Sequence, residues 1–219
     1  MDSIIQGIAI YALPVIFAIT LHEAAHGYVA KHYGDLTAYA QGRVTLNPLK
    51  HIDLIGTIIV PLGIYVLSTS AVGSGFLFGW AKPVPVNFAN LRRPKRDMLW
   101  VAAAGPGANL LMAFLWAFII KLSLAMPESD LAMPMMLMGQ AGVVINAVLL
   151  VLNLLPLPPL DGGRIAVSLL PHRIAHRFAQ IEPYGFMILL VLLFTGVLGA
   201  VILPFIKVMV IMVEWSVGL

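Results

Sequence analysis

Three ionisable side chains, His22, Glu23 and His26, lie inside the first long apolar run of the sequence. Residues four apart lie on one face of a helix, so the two imidazoles could bind one metal ion from successive turns. Glu23 directly follows the first histidine and could reach a metal-bound water without being a ligand. This His-Glu-x-x-His pattern is typical of zinc metalloproteases, in which the glutamate is the general base.

The location of this motif inside an apolar run favours a functional site over a chance match to the pattern. Ionisable groups inside a membrane span are costly and rare, and three stand together here. The alternative is a polar cluster that holds neighbouring helices together by hydrogen bonds. Because the cost of burying three such groups is high, we expect a metal site.

The composition is that of a membrane protein. Of the 219 residues, 60% are hydrophobic and 11% are charged, whereas soluble domains are about 45–50% apolar and about 25% charged. Runs of roughly 20 apolar residues indicate helices rather than a barrel. The sequence has no cysteine, so a disulfide framework is excluded and any metal must be bound by His, Asp or Glu. The net charge of +3 gives no indication of a nucleic-acid partner.

We therefore predict an all-α polytopic membrane protein with about 4–6 transmembrane or re-entrant helices. The predicted spans are residues 3–31, 98–122, 133–157 and 184–203, with an apolar helix after Pro204 and a basic, interfacial helix at 163–182. The N-terminal run is interpreted as a retained span rather than a cleaved signal peptide. Residues 1–219 are interpreted as one membrane-embedded domain, with a catalytic core at 3–165 and C-terminal helices at 184–219.

Two polar segments alternate in the manner of extended chain. One contains Val44 and Leu46, and the other is the run Pro83, Val84, Pro85 and Val86, where the prolines exclude a helix. We predict a small β-strand or hairpin element at the cytoplasmic side, with 83–86 as an exposed edge strand. That edge could bind an unwound substrate segment by β-augmentation; the alternative is a simple sheet edge capped by prolines.

A catalytic zinc needs a third protein ligand, for which Asp161 is the best candidate. It follows an apolar span and a Pro-Pro turn, and it precedes Gly162 and Gly163, which permit close backbone approach. His172 and His176 repeat the four-residue spacing, but arginines flank them and no carboxylate accompanies them. Those two are interpreted as the face of an interfacial helix.

Four motifs in order along the chain resemble those of the site-2 proteases, a family of intramembrane zinc metalloproteases. They are "HEAAH", "FGWAKPVPVN", "AAGPGANL" and "NLLPLPPLDGGR", and the resemblance spans about residues 15 to 165. Leu160 stands where the family has proline before the aspartate, which alters the turn but leaves the carboxylate. No PDZ or CBS domain is expected, because no soluble stretch is long enough.

The resemblance implies a metalloendopeptidase that hydrolyses peptide bonds in or near transmembrane segments, with one Zn²⁺ per chain. Asn153 would stabilise the oxyanion, or else make an interhelical hydrogen bond of the kind expected for Asn146 and Gln140. Gly105 and Asn109 would pack a helix against the zinc helix. The expected partners are the lipid bilayer and a single-span membrane-protein substrate. The ligand set suits zinc best, although it also admits cobalt or iron.

Charge distribution predicts the orientation. If residues 54–78 dip into the membrane and return, 11 of the 13 Lys and Arg lie on one side, whereas a crossing divides them 8 to 5. One ion can join His26 to Asp161 only if the spans 3–31 and 133–157 run in the same direction, which agrees with a re-entrant or interfacial segment. The N-terminus is then outside the cell and the active site faces the cytoplasm.

Two other classes of protein are also compatible with these residues. A metal or ion transporter could use the same four ionisable side chains as a transit site, but transporters usually show inverted repeats and none is found here. A zinc-binding scaffold without catalysis would have no need of a base such as Glu23 beside its ligands. Substitution of Glu23 by glutamine separates a protease from a scaffold.

Overall fold

The computed structural model describes residues 2–60, 63 and 81–219. All regular structure within these residues is helical. The α-helices are α1 Asp2–His32, α2 Thr37–Ala40, α3 Pro94–Leu124, α4 Ala132–Asn153, α5 Asp161–Leu169, α6 His172–Ala179, α7 Glu182–Phe194 and α8 Val197–Val217. Short 3₁₀ turns lie at Pro48–Lys50 and Phe88–Asn90, and a π-helical turn lies at Leu54–Ile59.

Four of these helices are long and apolar enough to cross a membrane: Gln6–His32, Pro94–Leu124, Ala132–Asn153 and Val197–Val217. The pair α6 and α7, bent by 62° at its break, would make a fifth span if counted as one. The predicted helical, multi-pass architecture is therefore confirmed. Most of the segment 54–78 lies outside the described residues, so its re-entrant path stays a prediction.

The core is formed where α3 and α4 pack against each other and against α8. Small residues let these helices approach closely: a Cβ atom on Gly142 of α4 would lie 2.2 Å from the ring of Trp116 on α3. The buried members of this cluster are Met112, Ala113, Trp116, Ala117, Ile120, Val143, Ala147, Leu150, Ile206, Met209 and Val213. α1 packs on the other side of α3 and α4 and carries the ionisable motif into this bundle.

The predicted β-strand or hairpin element is wrong for the described residues, where neither 43–47 nor 81–87 forms a strand. The prolines at 83 and 85 have no N–H to donate to a ladder. Two of the remaining donors go to side chains instead: Val84 N donates to Glu23 and Asn87 N to Asp35. The alternation itself is real, because Val84 is buried whereas Pro83 is exposed.

Two predicted helix boundaries are also wrong. α8 continues through Pro204, and the break falls instead at Gly196, whose φ of 75° is in the left-handed region that glycine adopts without strain. A proline inside a membrane span is tolerated because neighbouring groups satisfy the freed carbonyl. The helix predicted at 163–182 is two helices, α5 and α6, separated at Leu170 and Pro171.

Candidate metal centre

α1 brings two imidazoles together. His22 and His26 occupy one face of this helix and are each 8% exposed. Their Nε2 atoms lie 3.1 Å apart. The spacing of four residues therefore places both imidazoles on one face of the helix, as the sequence predicts.

α5 supplies the third group. Asp161 is the first residue of this helix and is 5% exposed, and its Oδ2 lies 3.2 Å from His22 Nε2 and 3.3 Å from His26 Nε2. The two glycines after it allow the close approach: a Cβ on Gly162 would lie 2.3 Å from the carbonyl oxygen of Leu154, and one on Gly163 2.3 Å from Pro158 N. Any larger residue at either position would push the first turn of α5, and the carboxylate with it, away from the imidazoles.

The second ring nitrogen of each histidine is held by an acceptor. His26 Nδ1 lies 2.7 Å from the carbonyl oxygen of Val101, which can only accept, so this nitrogen carries the proton. His22 Nδ1 lies 2.6 Å from Asn109 Oδ1 and donates to it. Both rings therefore present the lone pair of Nε2 toward Asp161, as metal-binding histidines do.

This donor set fits a zinc ion. Three atoms with lone pairs face one another at 3.1–3.3 Å, and the Asp161 Oδ2 is buried without a hydrogen-bond partner among the described residues. Such an arrangement is repulsive unless a cation lies between the atoms. A tetrahedral zinc bound at about 2.0–2.1 Å separates its ligand atoms by about 3.3 Å, close to the distances found.

Gly105 on α3 leaves space beside the imidazoles. A Cβ at this position would lie 2.4 Å from His26 Nε2 and 2.6 Å from His22 Nε2. The absence of a side chain there keeps the region next to both nitrogens open for an ion. Among the described residues, His22, His26 and Asp161 are the group of histidines and acids arranged to hold a metal, and His172 and His176 belong to no such group.

The charge of Asp161 suits a cation. A carboxylate oxygen is one of the ligand types that zinc takes, and a divalent cation between the three atoms would offset its negative charge.

Glu23 lies on the same helix and is held by a distant segment. Its Oε2 accepts a 2.7 Å hydrogen bond from the backbone N–H of Val84. Arg43 fixes the start of that segment, with Nη2 at 2.9 Å from the carbonyl oxygen of Lys82 and 3.2 Å from that of Pro83. Lys82 N also donates to the carbonyl oxygen of His51 at 2.9 Å.

Asp35 fixes the other end of the segment. Its carboxylate is 1% exposed and accepts a 2.7 Å bond from Asn87 N, with further bonds from the backbone and hydroxyl of Thr37 and from Asn90 Nδ2. Burial raises the pKa of this carboxyl, but these hydrogen bonds outweigh burial and lower the pKa below its ordinary value. Residues 81–87 are thus held at both ends and pass over Glu23 between them.

Asn153 is the candidate residue that the structure does not join to this group. Its side-chain nitrogen donates to the carbonyl oxygen of Leu149, one turn earlier on α4, at 3.0 Å. Sequence reasoning missed the contributions of Arg43, Asp35 and the carbonyl of Val101. The interhelical hydrogen bond expected for Asn146 is present, with Asn109 as its partner; a polar side chain in an apolar span was the signal.

The chain is similar to known zinc metalloproteases. It is 40% identical over 195 residues to the Bacillus subtilis protein named "Putative zinc metalloprotease YwhC", an alignment that covers 88% of this chain and 83% of that protein. The sequence model described as peptidase family M50 matches residues 125–196. The chain belongs to peptidase family M50. As a member of this family of site-2 proteases it is a zinc metalloprotease, in agreement with the family resemblance of its motifs.

Two further relatives are named "Putative zinc metalloprotease Rip2". The protein of Mycolicibacterium smegmatis is 33% identical over 186 residues, covering 84% of this chain and 66% of its own length. The protein of Mycobacterium tuberculosis strain H37Rv is 31% identical over 181 residues, covering 81% and 63%. There is no significant match among solved structures.

Proposed function

We propose that this M50 peptidase cleaves peptide bonds in or near the transmembrane segments of single-span membrane proteins. His22, His26 and Asp161 are the proposed zinc ligands, and Glu23 is the proposed general base. The depth of the site is the observation that carries this proposal. His26 and His22 precede the end of α1 at His32 by six and ten residues, which corresponds to about 9 and 15 Å along the helix.

Glu23 and its neighbours account for the proton transfers. Zinc bound by the three ligands would polarise the scissile carbonyl and activate a water. Glu23 takes a proton from the attacking water and gives it to the leaving amine. Because Val84 N–H holds Oε2 of this carboxylate, Oε1 is the oxygen available for the transfer. Asn153 would donate to the oxyanion after its amide leaves Leu149.

Residues Pro83 to Val86 are the proposed docking segment for the substrate. Within the part of the chain that the structure describes, the N–H of Val86 donates to no other group. Its neighbours along the chain are held by Glu23, Arg43 and Asp35, so the backbone here is already fixed in place. An unwound substrate segment could then pair with it at little entropic cost.

Charge supports the orientation proposed for the enzyme. Basic residues are concentrated in the last turn of α1 and in the segment between α1 and α3, at the end of the bundle nearest the site. Among them are Lys31, Arg43, Lys82, Arg92 and Arg93. The positive-inside rule assigns this end to the cytoplasm and the N-terminus to the outside. The whole chain, residues 1–219, then acts as one membrane-embedded domain.

The test is cleavage of a single-span substrate in liposomes, with zinc content measured on the same samples. Glu23→Gln should keep zinc and lose cleavage by at least about 100-fold, whereas Asp161→Ala should lose both. Mass spectrometry should place the scissile bond in or next to the span. Equal cleavage of a soluble peptide of the same sequence would contradict an intramembrane substrate, and retention of zinc by Asp161→Ala would contradict the ligand assignment.

A further inference from the structure

A chain of buried hydrogen bonds connects the candidate metal site to α4. His22 Nδ1 donates to Asn109 Oδ1 at 2.6 Å, and Asn109 Nδ2 donates to Asn146 Oδ1 at 3.0 Å. Asn146 Nδ2 then donates to the carbonyl oxygen of Gly142 at 2.8 Å. Both asparagines are 0% exposed. The chain therefore runs from α1 through α3 to α4 without contact with solvent.

The direction of every bond in this chain is fixed. The Gly142 carbonyl can only accept, so the amide nitrogen of Asn146 faces it and the amide oxygen faces Asn109. Asn109 must then turn its nitrogen toward Asn146, where its second hydrogen also reaches the carbonyl oxygen of Ala18 at 3.3 Å. The oxygen of Asn109 is left facing His22. Consequently Nδ1 of His22 must carry the proton, and Nε2 must present a lone pair.

The two histidines differ in how they are held. The partner of His26 is the carbonyl of Val101, a main-chain group that cannot exchange a donor for an acceptor. The partner of His22 is a side-chain amide, and a half-turn of that amide would present its nitrogen to the ring. His22 would then accept at Nδ1 and carry its proton on Nε2, which prevents that atom from binding a metal.

We infer that Asn146 is a positioning residue for the metal site: it holds the Asn109 amide in the orientation that leaves His22 Nε2 free to bind zinc. The bond from Asn109 to Asn146 is shorter than the bond to Ala18, so Asn146 is the stronger of the two restraints. A buried amide has no water to replace a lost partner, so its orientation depends strongly on each hydrogen bond that it makes. This inference rests on the proposed role of His22 as a zinc ligand.

The first measurement is metal affinity, by competition with a chelator, in detergent-solubilised full-length protein. Asn146→Leu removes the stronger of the two restraints on Asn109 and should weaken zinc binding by about 10- to 100-fold, the range seen when groups behind a ligand are changed. Cobalt(II) should bind the variant with the same visible absorption bands but at higher cobalt concentration, because the three ligands are unchanged. Ser123→Ala is the control, since Ser123 is buried on α3 and its hydroxyl bonds, among the described residues, only to Ile120 of the same helix.

A second pair of variants separates positioning from packing. In Asn146→Asp, a protonated carboxyl can still accept from the Asn109 amide and donate to the carbonyl of Gly142. This variant should therefore bind zinc more tightly than Asn146→Leu. A packing role alone predicts the opposite order, because leucine is the better tolerated side chain inside a helix bundle. Asn146→Leu combined with Asn109→Leu should bind zinc no more weakly than Asn109→Leu alone, since Asn146 acts through Asn109.

Zinc binding by Asn146→Leu equal to that of the wild type would overturn the inference, as would additive effects in the double variant. His22→Ala distinguishes this failure from a wrong ligand assignment. If His22→Ala retains full zinc affinity, the proposed zinc site is itself wrong. If His22→Ala loses zinc while Asn146→Leu keeps it, the zinc site stands and the positioning role of Asn146 fails.

Discussion

Glu23 and Val84 are 61 residues apart in sequence, yet the carboxylate oxygen of one accepts a 2.7 Å hydrogen bond from the backbone N–H of the other. This bond joins the proposed general base to the segment proposed to receive the substrate. The prolines on either side of Val84 have no N–H, so Val84 is the donor that this part of the segment can offer. A substrate that binds along the segment and shifts Val84 would therefore also shift the carboxylate of Glu23.

Arg43 should control this contact from a distance. Its guanidinium binds the carbonyl oxygens of Lys82 and Pro83, so Arg43→Leu should loosen the segment and remove the restraint on Glu23. We expect the kcat of cleavage to fall about tenfold, equivalent to about 1.4 kcal/mol, with zinc content unchanged. Arg96→Gln, at an exposed arginine, is the control. A loss of zinc in Arg43→Leu would instead place its effect on the metal site.

Gly105 should be required for metal binding more than for folding. In Gly105→Ala the new methyl group would meet His26 Nε2 at 2.4 Å and His22 Nε2 at 2.6 Å unless the helices move apart. Zinc content should therefore fall to background while the helical content stays near that of the wild type. Gly107→Ala is a matched control on the same helix, because a Cβ there meets nothing within 4 Å. The control should keep its zinc and gain about 0.5–1 kcal/mol of stability.

The proposed ligands His22 and His26 could be singled out from the sequence because polar groups stand out in an apolar span. His22 and His26 also share one helix, so their spacing alone determines that they meet. The role of Asn146 could not be predicted in this way. Its effect depends on which atom of Asn109 it faces, and that contact exists only after α3 and α4 have packed.

The strand prediction failed for a related reason. Alternation of Pro and Val at 83–86 predicted an exposed edge strand, whereas the structure has no strand there and Val84 is buried. The alternation gave no information on the partners of the backbone donors, which are the carboxylates of Glu23 and Asp35 rather than a neighbouring strand. The local sequence limits the backbone conformations open to residues 83–86, whereas the tertiary fold determines their hydrogen-bond partners.

Asp35 should make the anchoring of this segment depend on pH. Its folded-state pKa is lowered, so its contribution to stability is fully present above the unfolded value of about 3.9 and is lost as pH falls through the folded value. Asp35→Asn should destabilise the protein at neutral pH by about 1.5–3 kcal/mol, the range for hydrogen bonds to a charged group. The difference in melting temperature from the wild type should shrink below about pH 4. The exposed Asp130→Asn control should show no such change.

Val86 provides a direct test of substrate docking along residues 83–86. Val86→Pro removes its backbone N–H, a donor without a partner in the part of the chain that the structure describes, while Val84 and its bond to Glu23 are left in place. If the substrate binds by main-chain pairing, the KM should rise about tenfold with kcat nearly unchanged, because the lost bond contributes equally before and during the reaction. Zinc content should equal that of the wild type. An unchanged KM would show that the prolines only cap an extended edge, and a lower kcat would show that Val86 acts on Glu23 instead.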